Sequence, residues 1–171
     1  LTINESIINN LDYFVKNDIQ LIWQTGKWFY EKAKERVAQI NSTNVKVYEF
    51  IYEMEQAYSL ADVIISRAGA IAISELCIVG KPCILVPSPN VSEDHQTKNA
   101  LALVEKNAAL YVKDIDAQEQ LLGKAIEAVN QPELLKNLSH NITQLAFTDS
   151  ANVIAKEVIK LAEKYKKEHG C

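Results

Sequence analysis

Helical repeats and short apolar runs alternate along the first two thirds of the chain. Apolar residues recur every three or four positions over residues 3–15 and 28–40, which is the period of an amphipathic helix. Compact apolar runs bounded by glycine, proline or polar residues follow these segments and are typical of buried strands. We therefore predict strands at residues 19–23, 44–50, 62–66, 83–87 and 108–112.

Further helices are predicted between these strands, at residues 54–60, 70–79 and 96–106. Gly80 and Pro82 mark the end of the helix at 70–79. Because strands that are apolar on both faces alternate with helices, the sequence predicts an α/β fold, a Rossmann-like parallel sheet with helices on both faces. The 171 residues fit one domain, 1–171, whose C-terminal segment, 115–171, is helical.

The last predicted helix, residues 151–167, is amphipathic. Its apolar stripe contains Ile154, Val158, Leu161 and Tyr165, with lysine and glutamate on the other faces. We expect the stripe to pack on the chain's own sheet. Any part of it left exposed would favour self-association.

Four loops follow predicted strands, at residues 24–27, 51–54, 67–70 and 87–96. Parallel strands with right-handed connections bring such loops to one edge of the sheet, where α/β folds bind ligands. Glycine, proline and polar residues are frequent in these loops, which ordinary turn chemistry explains in part. In the last loop, Asp94 is predicted to cap the helix that follows.

The stretch SRAGAIAISE, residues 66–75, leads from one of these loops into a helix. A helix that begins near Gly69 directs free N–H groups and a positive dipole end into the crevice, which suits an anion such as a phosphate. Helical spacing places Glu75 on one stripe with Ile71 and Ile78.

The carboxylate on this apolar stripe needs a partner, because a lone buried charge is costly. A salt bridge to Arg67, Lys81 or Lys98 would provide one, as would a position near the favourable end of the dipole. The two hydroxyls of a nucleotide ribose would also satisfy both carboxylate oxygens. The spacing alone leaves these readings equally open.

Composition narrows the class of partner. The net charge is −4 and the chain has no basic run, which argues against nucleic acid and anionic lipid as ligands. Apolar runs stay below the ~18 residues of a membrane helix, and no signal peptide is evident, so we expect a soluble, cytoplasmic protein. Cys77 and Cys83 lie in apolar runs and are predicted to be buried, reduced thiols, whereas Cys171 is expected to be exposed. The histidines have no metal-ligand spacing, so no metal site is predicted.

Several motifs occur together in the run ADVIISRAGAIAISELCIVGKPCILVPSPNVSEDHQTKNALAL, residues 61–103. RAGA, SE, GKP, a proline-rich loop and HQxxNA follow one another in this order, and IWQTGK and VYEFIYEM precede them. In this combination the chain resembles the MurG family, bacterial glycosyltransferases of family 28 that add N-acetylglucosamine to undecaprenyl-pyrophosphoryl-muramoyl-pentapeptide. The resemblance covers most of the chain.

The resemblance implies the GT-B fold, in which two Rossmann-like domains face each other across a cleft. This chain is similar to the C-terminal domain, which binds the donor UDP-N-acetylglucosamine. A glycine-rich phosphate loop, directly before the first helix, would precede Leu1, as would the N-terminal acceptor domain with the general base. We therefore expect the chain to be a fragment in which the catalytic base is absent and the apparent capping box from Thr2 to Glu5 is accidental.

The resemblance also assigns residues to the parts of the donor. Uracil would be received at Phe50 and Ile51, with main-chain hydrogen bonds from Ile51, and would pack on Met54. Glu75 would bind the ribose hydroxyls, and the helix start would lie against the diphosphate and sugar. His95, where a second glutamine is common in the family, still offers a hydrogen bond to the N-acetylglucosamine hydroxyls. The donor-binding residues implied in this way are Phe50, Ile51, Met54, Arg67, Gly69, Ala70, Ile71, Ser74, Glu75, His95, Gln96 and Asn99.

Arg67 has two readings, neutralising the diphosphate or pairing with a carboxylate. For the intact enzyme the resemblance implies an inverting transfer without a cofactor or bound metal, in which helix dipoles and main-chain donors stabilise the leaving UDP. The full protein would be peripheral on the cytoplasmic face of the inner membrane and take a lipid-linked acceptor through the absent domain, without membrane insertion by this chain. Alone, the chain is expected to bind the donor weakly and to catalyse nothing.

Two alternatives share the predicted architecture. A UDP-N-acetylglucosamine 2-epimerase would use the same donor crevice, but HQxxNA fits that family less well. A flavodoxin-like regulatory domain would need an aspartate at the end of its central strand. The predicted strands end or lead into their loops at Gln24, Phe50, Ser66 and Pro87, which disfavours this class.

Overall fold

The computed structural model describes residues 1–90 and 94–169. Helices and strands alternate up to residue 111, and the rest of the described chain is helical. The strands are β1 (Leu21–Gln24), β2 (Val45–Tyr48), β3 (Ile64–Ser66), β4 (Cys83–Leu85) and β5 (Leu110–Tyr111). The α-helices are α1 (Thr2–Asn9), α2 (Leu11–Lys16), α3 (Lys27–Ile40), α4 (Met54–Leu60), α5 (Ala70–Val79), α6 (His95–Val104), α7 (Ala117–Val129), α8 (Pro132–Thr143) and α9 (Ser150–His169).

All pairings of these strands are parallel, so the predicted α/β class is confirmed. The sequence predicts one continuous sheet, whereas the pairing of the described strands falls into two groups, β1 with β2 and β3–β4–β5. Helix α7 joins the two groups, because Leu122 packs in the core against β1 and β2 while Leu121 packs against the β4 side. Ile3 of α1 contacts both cores.

Strand β4 has helices on both faces, as the doubly apolar pattern predicts. Cys83 and Leu85 pack in one core with residues of α5, α6 and α8. Ile84 and Val86 face the opposite way and pack with α7. Alternate side chains of a strand lie on opposite faces, so the uninterrupted apolar run supplies both cores at once.

The first helical repeat, predicted as continuous over residues 3–15, is divided at Asn10. The Asn10 side chain donates to the carbonyl oxygen of Ser6 at 2.8 Å and thereby competes with the helix for a backbone acceptor. The apparent capping box does not form, since α1 has no side-chain cap. The Thr2 hydroxyl instead donates to Oδ2 of Asp114 at 2.9 Å.

Helix α9 departs from the expectation that its apolar stripe packs on the sheet. None of its residues is buried, and Ile154, Val158, Leu161 and Tyr165 are between 59% and 66% exposed. None of the buried residues that form the three cores of the described chain comes from α9. In the described part of the chain, no helix combines the length and apolar character needed to span a bilayer.

Two cysteines lie in the interior, as predicted. Cys77 on α5 and Cys83 on β4 are both buried and reduced. Burial raises the pKa of the Cys77 thiol. Burial, with a smaller effect of Cys77, raises the pKa of Cys83 from 9.0 to about 12. Cys171, predicted to be exposed, lies outside the described residues.

We expect neither buried thiol to react with iodoacetamide at pH 8 until the chain is unfolded in urea, because the thiolate is the reactive species. An unfolded Cys83 loses its proton near pH 9.0 and the folded one near pH 12, so the free energy of unfolding should fall as the pH rises through this range. Mass spectrometry of the alkylated peptides and urea denaturation at several pH values measure the two effects. Cys83→Ala is the control, and an equally steep decline in that variant would contradict the assignment to this thiol.

Candidate functional site

Helix α5 begins where the sequence predicts, with Gly69 at the N-cap position. Gly69 is extended, with φ −67° and ψ 149°, and its carbonyl accepts the N–H of Ile73 at 2.9 Å. The N–H groups of the first turn, including those of Ala70 and Ile71, therefore lack helical acceptors. Ile71 is 83% exposed, and a Cβ added at Gly69 would meet no atom within 4 Å. The helix thus presents an open, positive amino terminus of the kind that binds anions.

Glu75 lies on one stripe with Ile71 and Ile78, as the spacing predicts, but the stripe faces solvent. Glu75 is exposed, and Ile78 is 57% exposed. The opposite side of α5, with Leu76 and Cys77, packs into the core instead. The expected burial of this carboxylate is therefore wrong.

Glu75 makes none of the predicted salt bridges to the residues that the structure describes. Its Oε2 accepts a hydrogen bond from the Tyr58 hydroxyl at 3.4 Å, which links α5 to α4. Lys81 donates instead to the carbonyl oxygens of Ser59 and Ala61. Burial, with a further contribution from Glu75, raises the pKa of Tyr58, so this hydroxyl stays protonated as a donor.

The loops after β1 and β2 meet, as predicted. The N–H of Ile51 donates to Oε1 of Gln24 at 2.8 Å. Phe50 is 56% exposed, and its ring lies edge-on to Tyr52 with the centroids 5.1 Å apart. Met54 begins α4, the helix that carries Tyr58 to Glu75. This part of the site has a main-chain N–H group, bonded to Gln24, beside an exposed aromatic ring.

Helix α6 is tied to the neighbouring loops by two predicted site residues. Oε1 of Gln96 accepts the N–H of Ser88 at 2.9 Å, and the Asn99 side chain donates to the carbonyl oxygen of Ala68 at 3.1 Å. His95 is exposed at the first position of α6. Asp94 occupies the N-cap position as predicted, but with φ 54° its side chain makes no cap hydrogen bond. Residues 91–93 of the predicted loop lie outside the described residues.

Ser74 and Arg67 are both engaged within the protein. The Ser74 hydroxyl donates to the carbonyl oxygen of Ala70 one turn earlier, at 3.0 Å. The Arg67 guanidinium pairs with Asp114. Of the two readings of Arg67, the structure thus has the pairing with a carboxylate.

The sequence places Gln24 in a loop at the ligand edge without giving it a role, and it does not single out Tyr58 or Asp114 as site residues. Asp114 comes shortly after β5, so the rule that brought four loops to one edge also covers a fifth loop. Gln24 is the last residue of β1 and lies at the same edge. No periodic signal pairs Tyr58 with Glu75, because that contact depends on how α4 packs beside α5.

Of two cavities in the described structure, one lies away from this group of residues and the other is lined in part by it. One of about 630 Å³ is bounded by β5, α7 and α8 and includes Lys124 and Asn141. The other, about 450 Å³, lies beyond β4 and β5 and includes Pro87 and Asp114. Within residues 1–90 and 94–169, no three His, Cys, Asp or Glu side chains converge as a metal site would require.

Comparisons with known proteins agree on one family. The model of the glycosyltransferase family 28 C-terminal domain matches residues 1–158. A curated relative from Phocaeicola vulgatus, named UDP-N-acetylglucosamine--N-acetylmuramyl-(pentapeptide) pyrophosphoryl-undecaprenol N-acetylglucosamine transferase, is 61% identical over 99% of this chain and 45% of its own length. A protein of the same name from Bacteroides fragilis is 54% identical over 95% of this chain and 43% of its own length. The chain thus spans about half the length of the curated relatives it matches.

Solved structures support the same conclusion. The crystal structure of MurG from Acinetobacter baumannii superposes with a TM-score of 0.74 at 25% identity and covers 91% of this chain and 46% of that one. A glycosyltransferase of kitacinnamycin, with a TM-score of 0.63 at 18% identity, covers 91% of this chain and 39% of its own and shares the fold. The family match over residues 1–158 agrees with the parallel α/β layers and the exposed start of α5. This chain therefore belongs to glycosyltransferase family 28, whose C-terminal domain it contains.

Proposed function

We propose that this chain is the UDP-N-acetylglucosamine-binding domain of a glycosyltransferase that transfers N-acetylglucosamine to undecaprenyl-pyrophosphoryl-muramoyl-pentapeptide. The names of its curated relatives support this reaction. The observation that carries the proposal is the combination of an open amino terminus and an exposed carboxylate on α5. Ala70 and Glu75 are five residues apart, or about 7.5 Å along the helix axis, a span comparable to that between a phosphate and the hydroxyl edge of its ribose.

The diphosphate would bind at the first turn of α5, with the N–H groups of Ala70 and Ile71 as donors. The open space in front of Gly69 supports this placement, since a phosphate needs close approach to the backbone. Glu75 would accept hydrogen bonds from the two ribose hydroxyls. Tyr58, which donates to Oε2 of Glu75, would keep the carboxylate beside α4.

Uracil would bind beside Phe50, Ile51 and Met54. The N–H of Ile51 is held by Gln24 at 2.8 Å without ligand, so a uracil carbonyl would have to replace the Gln24 amide oxygen. The exposed Phe50 ring offers apolar surface for the base. This exchange would exclude water without leaving a main-chain donor unpaired.

The N-acetylglucosamine would lie beyond the diphosphate, near His95 and Gln96 at the start of α6. Ser74 and Asn99 would form part of the walls of this region. Ser74 already donates to the first turn of α5, and Asn99 donates to the loop that leads into this helix. In the transfer, the acceptor hydroxyl attacks the anomeric carbon, the bond from that carbon to the phosphate oxygen breaks, and UDP leaves. The hydroxyl proton passes to a base supplied by the rest of the enzyme. The α5 dipole and main-chain donors stabilise the charge that develops on the diphosphate.

The rest of the protein would supply the binding site for the lipid-linked acceptor and the catalytic base. We infer a division in which this chain, as one Rossmann-like domain, holds the donor. The enzyme would act as a peripheral protein on the cytoplasmic face of the inner membrane. Neither nucleic acid nor a cofactor has a part in this proposal.

Isothermal titration of the 171-residue chain with UDP tests the proposal, and we expect weak binding to one site. A folded chain that gives no heat would refute it. Gly69→Ala is the matched variant, because alanine accepts φ −67° and its methyl group would stand in the open space before the helix. We expect the variant to stay folded and to unfold slightly below the wild-type temperature, because alanine is less favourable than glycine at an N-cap position, but to bind UDP about tenfold more weakly. Unchanged affinity in Gly69→Ala would place the diphosphate elsewhere.

A further inference from the structure

We propose that Asp114 is a positioning residue for the donor diphosphate, which it serves by holding Arg67 and, through Arg67, the loop that begins α5. The inference rests on the proposed function. Asp114 has no place in the donor site implied by the resemblance, and it lies after β5 rather than in any of the four loops predicted to line the crevice.

Both carboxylate oxygens of Asp114 are engaged. Oδ1 accepts from Nη1 of Arg67 at 2.5 Å, and Oδ2 accepts from the Thr2 hydroxyl at 2.9 Å. The side chains of Asp114 and Arg67 are only 17% and 29% exposed. Such a pair is better shielded from solvent than a surface ion pair, so loss of one partner leaves the other charge poorly compensated.

Arg67 also bridges the neighbouring strand. Its Nη1 lies 3.0 Å from the carbonyl oxygen of Val86 and 3.2 Å from that of Pro87. Because Arg67 directly follows β3 and Asp114 follows β5, the guanidinium crosses the carboxyl end of β4 and ties all three strand ends together. Arg67 is therefore occupied on the β5 side, while the main chain after it continues into α5.

The next residue of the loop is held from a second direction. Ala68 is fully buried, and its carbonyl oxygen accepts the Asn99 side chain of α6 at 3.1 Å. Gly69, which follows, has open space around it and leads to the free N–H groups of the first turn. The orientation of these N–H groups thus depends on two contacts that hold the loop, the pair of Arg67 with Asp114 and the hydrogen bond from Asn99 to Ala68. Hydrogen bonds weaken steeply with misalignment, so a shift of this loop would weaken the hold on a phosphate.

The test uses Asp114→Asn, which keeps the shape of the side chain and removes its charge. UDP and uridine are titrated into the 171-residue chain, by calorimetry and by ligand-observed NMR respectively. We expect the affinity for UDP to fall about tenfold and the affinity for uridine to stay unchanged, because only the diphosphate contacts the loop that Asp114 positions. A double-mutant cycle combines Asp114→Asn with Arg67→Gln. The double variant should bind UDP no more weakly than Arg67→Gln alone, since Asp114 acts through Arg67.

A parallel loss of uridine affinity would show a general structural role and overturn the inference. So would tighter binding of UDP by Asp114→Asn, which would mean that Asp114 competes with the diphosphate for Arg67.

If Asp114→Asn does not fold, Thr2→Val removes the donor to Oδ2 alone and should reproduce the selective loss of UDP affinity at about two- to threefold. Equal binding of UDP by wild type and folded Thr2→Val would then reject it. If the wild type binds UDP and the folded Asp114→Asn variant binds it equally well, this inference alone is refuted. A wild-type chain that does not bind UDP would refute the proposed function with it.

Discussion

Glu75→Ala is expected to abolish measurable binding of UDP by the folded chain. In the proposed site the carboxylate accepts hydrogen bonds from both ribose hydroxyls. Each hydrogen bond to a charged group contributes about 1.5–3 kcal/mol, so loss of both should weaken binding by at least about a hundredfold. Isothermal titration with UDP measures this loss directly.

The same substitution should leave the fold intact. Glu75 is exposed, and its side chain accepts a hydrogen bond from Tyr58 at 3.4 Å. Alanine is a good helix former, so the middle of α5 tolerates it. The midpoint of thermal unfolding should therefore stay close to that of the wild type, which separates loss of binding from loss of structure.

Glu105→Ala is the matched control for this prediction. Glu105 is an exposed glutamate at the far end of α6, and its removal changes the net charge by the same amount. We expect Glu105→Ala to bind UDP like the wild type and Glu75→Gln, which keeps one acceptor oxygen, to fall between the two. A Glu75→Ala chain that binds UDP normally would contradict the ribose assignment.

The sequence predicts α5 within its observed bounds because the signals for this helix are local. Gly69 precedes it in an extended conformation, Gly80 follows it in the left-handed region, and apolar residues fill it. The sequence predicts the helical stripe of Glu75 correctly, but the burial that it predicts for this side chain is wrong. Which side of an apolar helix meets the core is decided by the strands and helices that pack on it, and here Leu76 and Cys77 occupy that side.

Contacts between residues that are far apart in the sequence are the hardest to predict from it. Arg67 and Asp114 are 47 positions apart, and the edge rule for parallel strands brings them to one side of the fold without pairing them. The amphipathic pattern of α9 predicts a helix correctly but does not show what covers it. Periodicity reports the conformation of a segment, whereas contacts between segments depend on the whole fold.

Gly80→Ala is expected to destabilise the chain by about 2 kcal/mol. Gly80 ends α5 in the left-handed region, with φ 69° and ψ 20°, where a side chain costs roughly 1–2 kcal/mol. A Cβ there would also lie 2.6 Å from Oγ1 of Thr143. Thr143 is exposed and can rotate away, but it would give up its hydrogen bond to the carbonyl oxygen of Ser139, worth about 0.5–1.5 kcal/mol.

Urea denaturation of Gly80→Ala, Thr143→Ala and the double variant separates these two costs. The double variant should recover the part that comes from the contact with Thr143 and keep the part that comes from the backbone. Gly69→Ala serves as the control at the other end of α5, because the same methyl group enters an allowed conformation and open space there. The two glycines that bound α5 should thus respond in opposite ways, with Gly69→Ala affecting the ligand and Gly80→Ala the fold. Equal stability of Gly69→Ala and Gly80→Ala would show that the left-handed turn after α5 carries no strain for alanine.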